Sequence, residues 1–123
     1  MVDLEEKAGL LTLRYHAPYE AGDEQRYLVA LRAVELRTER FAMLSIIGTS
    51  SDFSDAGERE QALWFKRSRA NMNRLCCAMA VVRPHVTDHM RSVFTKLWSF
   101  PVLVTTEEDE ARAFLASHLK EFA

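Results

Sequence analysis

Three short, nearly unbroken apolar runs constrain this chain more than any other feature: Phe41-Ala42-Met43-Leu44-Ser45-Ile46-Ile47, Cys77-Ala78-Met79-Ala80-Val81-Val82 and Val102-Leu103-Val104. A run that short without polar alternation reads as a strand buried on both faces, the usual condition of parallel strands covered by helices. Gly48 closes the first run, Arg83-Pro84 stops the second and Pro101 precedes the third.

Helical patterns separate these strands. A helix is expected from about Gly22 or Asp23, turning Tyr27, Leu28, Leu31 and Val34 inward and Arg26, Arg32, Glu35 and Arg37 outward. Asp55 with Glu58 three residues later has the form of a capping box, which predicts a second helix reaching about Leu75. Met90, Val93, Phe94, Leu97 and Trp98 fall on one helical stripe with Thr87 as its cap. Thr105 with Glu108 caps the last helix, whose stripe is Ala111, Phe114, Leu115, Leu119 and Phe122.

The amino-terminal stretch has a different period. Val2 and Leu4, then Leu11, Leu13 and Tyr15, alternate with polar residues around a Lys7-Ala8-Gly9 turn, the pattern of a half-exposed antiparallel hairpin. The whole therefore predicts an α/β fold: a mixed, mainly parallel sheet of about five strands with helices packed on it and an N-terminal antiparallel hairpin. At 123 residues it fits a single domain, 1–123.

Composition narrows the classes. A net charge of -2 argues against nucleic-acid binding, which needs a basic face to neutralise phosphates. No apolar run approaches the roughly 18 to 20 residues of a membrane span, and the acidic Met1-to-Glu6 start does not resemble a signal peptide, so the expected location is cytoplasmic. Cys76 and Cys77 are adjacent in an apolar run, a spacing that suits neither a disulfide nor a metal site. As strand neighbours they should face opposite layers. His85 and His89 are four apart, but Pro84 and the Thr87 cap place His85 ahead of the helix, and no metal or other cofactor is expected. No phosphate-binding glycine loop, nucleophile elbow or His-Glu-x-x-His motif is present, so a non-catalytic role is expected.

With this order of elements in place, the chain resembles the small SpoIIAA-like proteins, relatives of the STAS domain, which are also similar to the CRAL-TRIO lipid-transfer fold. The residues that carry the likeness are Phe41 to Leu44 before a short loop, Trp64-Phe65-Lys66 leading into Cys77 to Val82, and Val102 to Ala111 running into a terminal helix. In the anti-sigma antagonist branch of that family, phosphorylation of a Ser in the loop after the central strand switches partner binding. The resemblance implies that role for the loop from Gly48 to Asp55, with Ser50, Ser51 and Ser54 as the hydroxyls.

The same residues also read simply as a turn followed by a helix cap at Ser54 or Asp55. Ligands of open α/β sheets gather at the carboxyl ends of the strands, which nominates Thr49, Arg83, His85 and Thr105 as crevice residues. Lys66, Arg67, Arg69 and Arg74, together with Arg83, form a stretch with no acidic residue, read either as a basic surface for an acidic partner or as a solvated helix face. Two functions follow. One is a protein-interaction or regulatory domain working through the loop around Ser50, Ser51 and Ser54 and the adjacent helix, with self-pairing of the hairpin edge into a homodimer as a further expectation. The alternative is a small apolar or lipid-like ligand held between sheet and helices, near Phe94, Trp98, Phe100 and Phe114.

Overall fold

The computed structural model describes residues 1–48 and 54–120. The elements run β1 (Val2–Lys7), β2 (Leu10–Tyr15), α1 (Asp23–Glu35), β3 (Phe41–Ile47), α2 (Asp55–Leu75), β4 (Cys76–Val82), α3 (Asp88–Leu97), β5 (Val102–Thr105) and α4 (Glu108–Lys120). The fold is α/β, as the alternation of apolar runs and helical stripes requires. The five strands stand in the order β1-β2-β3-β4-β5, antiparallel between β1 and β2 and parallel elsewhere. The hairpin turns at Ala8 and Gly9, with φ of 52° and 82°. Two successive positive φ angles are what a tight two-residue hairpin turn demands, and Gly9 meets one of them without strain.

Sequential strand order decides where the helices go. Each crossover steps the same way across the sheet, so a common right-handed connection puts α1, α2 and α3 on one face. Only α4, which connects to no further strand, covers the other. Alternate residues of the central strands consequently serve two cores. Leu11, Leu13, Phe41, Met43, Met79 and Val81 pack under α1–α3 with Tyr27, Leu31, Trp64 and Trp98. Ala42, Leu44, Ala78 and Ala80 meet Ala111 and Leu115 of α4, where small side chains let the helix lie close to the sheet.

One irregularity marks the pairing of β3 with β4. Phe41 pairs with Cys76 but Met43 pairs with Met79, so β4 carries one extra residue there. The bulge turns Cys77 and Ala78 toward the same layer, while Cys76 belongs to the other. The two cysteines thus face opposite layers, both buried and neither in a disulfide. Burial pushes the Cys76 thiol up to about 12, which leaves it protonated at neutral pH.

Three local details differ from the sequence reading. The cap of α2 is Ser54 and not Asp55: its hydroxyl accepts from the Gly57 N–H at 3.0 Å. Thr105 ends β5, and its hydroxyl accepts from the Glu107 N–H at 3.1 Å, a turn that precedes α4 without capping it. The stripe of α3 stops at Leu97. Trp98 is already extended, and no residue of α3 is fully buried, with Val93 lying exposed. Thr87 does cap α3, accepting from the Met90 N–H at 3.1 Å. Phe122, at the end of the α4 stripe, lies outside the described residues. Among those residues, no helix is long and apolar enough to cross a membrane.

Candidate functional site

A cavity of about 250 Å³ opens between the sheet and α1–α3, toward the carboxyl ends of β2, β3 and β4. Its floor is Leu13 and Tyr15 of β2, Met43, Ser45 and Ile47 of β3, and Met79 and Val81 of β4. Tyr27 and Leu31 of α1 make one wall. Trp64, Phe65 and Gln61 of α2 make the next, and Phe94 and Trp98 close the side nearest α3. Tyr19, Gly48 and Arg83 stand where the strands end. Gly48 has no room for a side chain: a Cβ there would sit 2.9 Å from both His16 Cβ and the Tyr19 hydroxyl.

The walls are stiffened by ring contacts. Tyr15 lies 4.9 Å from Tyr27 and 5.8 Å from Tyr19, centroid to centroid. Trp98 contacts Trp64 at 6.1 Å and Phe65 at 6.0 Å, and stacks on Phe100 at 5.5 Å. The indole N–H of Trp64 donates to the Leu31 carbonyl at 2.6 Å, joining α2 to α1 behind the cavity. Rings held in this way cannot easily collapse inward to fill the space.

Polar groups in the lining are few and specific. Ser45 is 8% exposed, and its hydroxyl has no hydrogen-bond partner among the described residues. The Trp98 N–H is buried and likewise without a partner. Arg83 is half-buried, with no ion pair among the described residues. It lies close enough to Tyr27 to act on its phenol. Burial is the larger influence, pushing the Tyr27 phenol up to about 12, and the Arg83 charge pulls in the opposite direction. Among the described residues, the lining contains no His, Cys, Asp, Glu or Lys.

Of the crevice residues nominated by sequence, Arg83 reaches the cavity. Thr105 does not, being 5% exposed with its hydroxyl turned to the Glu107 N–H. His85 is exposed in the loop before α3. Thr49, Ser50 and Ser51 lie outside the described residues. Ser54 is engaged on both sides: besides capping α2, its hydroxyl donates to Glu24 Oε2 at 2.8 Å and its N–H to Glu24 Oε1 at 2.6 Å.

The basic stretch is divided between two places in the fold. Lys66, Arg67, Arg69 and Arg74 are exposed on α2, whereas Arg83 stands at the cavity. Arg67 is paired with Glu35 of α1, and Arg74 donates to Asn71 Oδ1 at 2.6 Å. Among the aromatics nominated for a ligand, Phe94 and Trp98 line the cavity and Phe100 backs Trp98. Phe114 lies in the opposite layer, 4.7 Å from the ring of His118. The sequence does not single out Tyr27 and Ser45 as site residues, and it reads Trp64 only as core or as part of an interaction patch with Phe65 and Lys66. The one available signal was Ser45 itself, the sole polar residue in the first apolar run.

Among the described residues, no cluster of three or more His, Cys, Asp or Glu is placed to hold a metal. No protein-family model and no curated protein matches the chain.

Proposed function

We propose that this domain binds a small, mostly apolar molecule between its sheet and α1–α3. The observation that carries this reading is the cavity itself. Packed protein cores rarely leave gaps larger than a water molecule, whereas here about 250 Å³ stays open between sheet and helices behind braced aromatic walls. An apolar cavity of about 150 Å³ accommodates benzene, so by proportion this one holds a ligand of roughly ten non-hydrogen atoms. Its position at the strand carboxyl ends is where open α/β sheets take their ligands. Among the described residues, the lining supplies no His, Asp, Glu, Lys or Cys as a general base, which favours binding over turnover.

Kinship with the SpoIIAA-like proteins is part of this proposal and rests on the order of elements. The competing reading, partner recognition through residues 48–55, draws on Ser50 and Ser51, outside the described residues, and on Ser54, whose hydroxyl is committed to Glu24 and the cap. Native mass spectrometry of the protein purified from its own cells tests the cavity reading. The expected result is a small-molecule adduct that vanishes on denaturation. A bare chain that also fails to bind phenylpropanol in a tryptophan-fluorescence titration would overturn it.

A further inference from the structure

We propose that the ligand is a monoanion, a small aromatic or branched aliphatic carboxylic acid whose carboxylate pairs with Arg83 while its apolar body fills the space beneath. This rests on the cavity reading above. Four arginines compared by their surroundings show why. Arg14, Arg37 and Arg112 are half-buried and each holds a glutamate: Arg14 with Glu108 at 3.6 Å, Arg37 with Glu6 at 2.6 Å, and Arg112 with Glu108 at 2.9 Å. Arg83 is half-buried too, yet among the described residues no carboxylate pairs with it and no acid lines the cavity that it borders.

A guanidinium partly withdrawn from water loses hydration that a counter-ion restores, and its planar fork matches a carboxylate with two parallel hydrogen bonds. One cation balances one negative charge. A phosphate monoester, carrying close to two, would bring a second charge into an aromatic lining with nothing to meet it. Ser45 supplies the other polar point. Its unpartnered hydroxyl on the floor, below the strand ends where Arg83 stands, suits a ligand with a hydroxyl or carbonyl on its apolar body.

The test compares two probes of nearly equal size, phenylpropionate and phenylpropanol, titrated into the intact chain and followed by the fluorescence of Trp64 and Trp98. Both are expected to bind, the acid at least about tenfold more tightly, as a charge-assisted hydrogen-bonded pair provides. In Arg83→Gln the two affinities should converge, and in Arg83→Lys most of the preference should remain. Should Arg83→Gln fail to fold, the wild-type preference must still shrink as salt is raised. Equal affinities in the wild type, or a preference that survives both Arg83→Gln and salt, overturn the anion assignment and leave the apolar cavity standing. Failure of both probes to bind removes the cavity reading and the assignment together.

Discussion

The Trp64 indole N–H meets the Leu31 carbonyl at 2.6 Å, and both side chains line the same cavity. This hydrogen bond joins α1 to α2 at the wall where a ligand would rest, while Arg67–Glu35 and Asn71 to the Glu35 carbonyl tie the same two helices further along. Trp64→Phe removes the donor and leaves space beside Trp98. The expected cost is about 2 kcal/mol, combining the lost hydrogen bond with a partly collapsed void. Urea denaturation reads this as a lower midpoint with an unchanged slope. A midpoint equal to that of wild type would mean that the helices are held apart by other contacts.

The Ser54–Glu24 pair bears on the loop that joins β3 to α2. Ser54→Ala should cost about 1 kcal/mol as a lost cap. Asp is ordinarily as good a cap as Ser, but here Ser54→Asp places a second carboxylate against Glu24, which already approaches the Ser54 N–H at 2.6 Å. It should therefore fail to restore stability, and Glu24→Gln in the same chain should recover part of the loss. A phosphate on Ser54 would repel Glu24 more strongly still. Full restoration by Ser54→Asp alone, measured by thermal denaturation, would show that Glu24 is free to move aside.

Why the sequence revealed the elements but not the cavity follows from what local patterns encode. Continuous apolar runs and 3.6-residue stripes report burial of a whole face, so the strands β3, β4 and β5 and the helices between them were legible from Phe41, Cys77, Val102 and their neighbours. Ser54 and Asp55 are both good caps, and the choice between them depends on Glu24, thirty residues away in sequence. Trp98 continues the α3 stripe by spacing, yet it leaves the helix to join Trp64, Phe65 and Phe100, a tertiary preference that no periodicity contains. The cavity is a gap among side chains from β2, β3, β4, α1, α2 and the region of α3. A gap has no residue pattern of its own; the strand-end rule, which nominated Arg83, and the aromatics Phe94 and Trp98 pointed to its region, and Ser45, polar in an apolar run, marks its floor.

Tyr27 offers a spectroscopic handle on the cavity. Its phenol is held neutral up to about 12, chiefly by burial, with the Arg83 charge working against that rise. Because the native value lies above the ordinary one, the stability that Tyr27 contributes is complete below about pH 10 and is lost as pH climbs through about 12. Ultraviolet absorbance titration of wild type against Tyr27→Phe should isolate one late ionisation. Arg83→Gln should move it higher still, and saturating phenylpropionate should do the same by cancelling the guanidinium charge. A Tyr27 step at the ordinary tyrosine value would show that the phenol reaches water.

Ser45→Val sets stability against binding at one position. Valine has nearly the shape of serine with a methyl added, suits a central strand, and replaces the hydroxyl of a buried residue that has no hydrogen-bond partner among the described residues. The added methyls project into the cavity and displace no packed neighbour, so the overpacking that usually accompanies enlargement is avoided. The expected gain is about 1 kcal/mol in the unliganded protein, read by urea denaturation. The same methyls occupy ligand volume and remove the floor hydroxyl, so phenylpropionate affinity should fall by about tenfold or more. A variant that is both more stable and equally competent would place the ligand away from Ser45. A less stable variant would show that the hydroxyl is satisfied by water in solution, in which case displacement of that water belongs to the binding step.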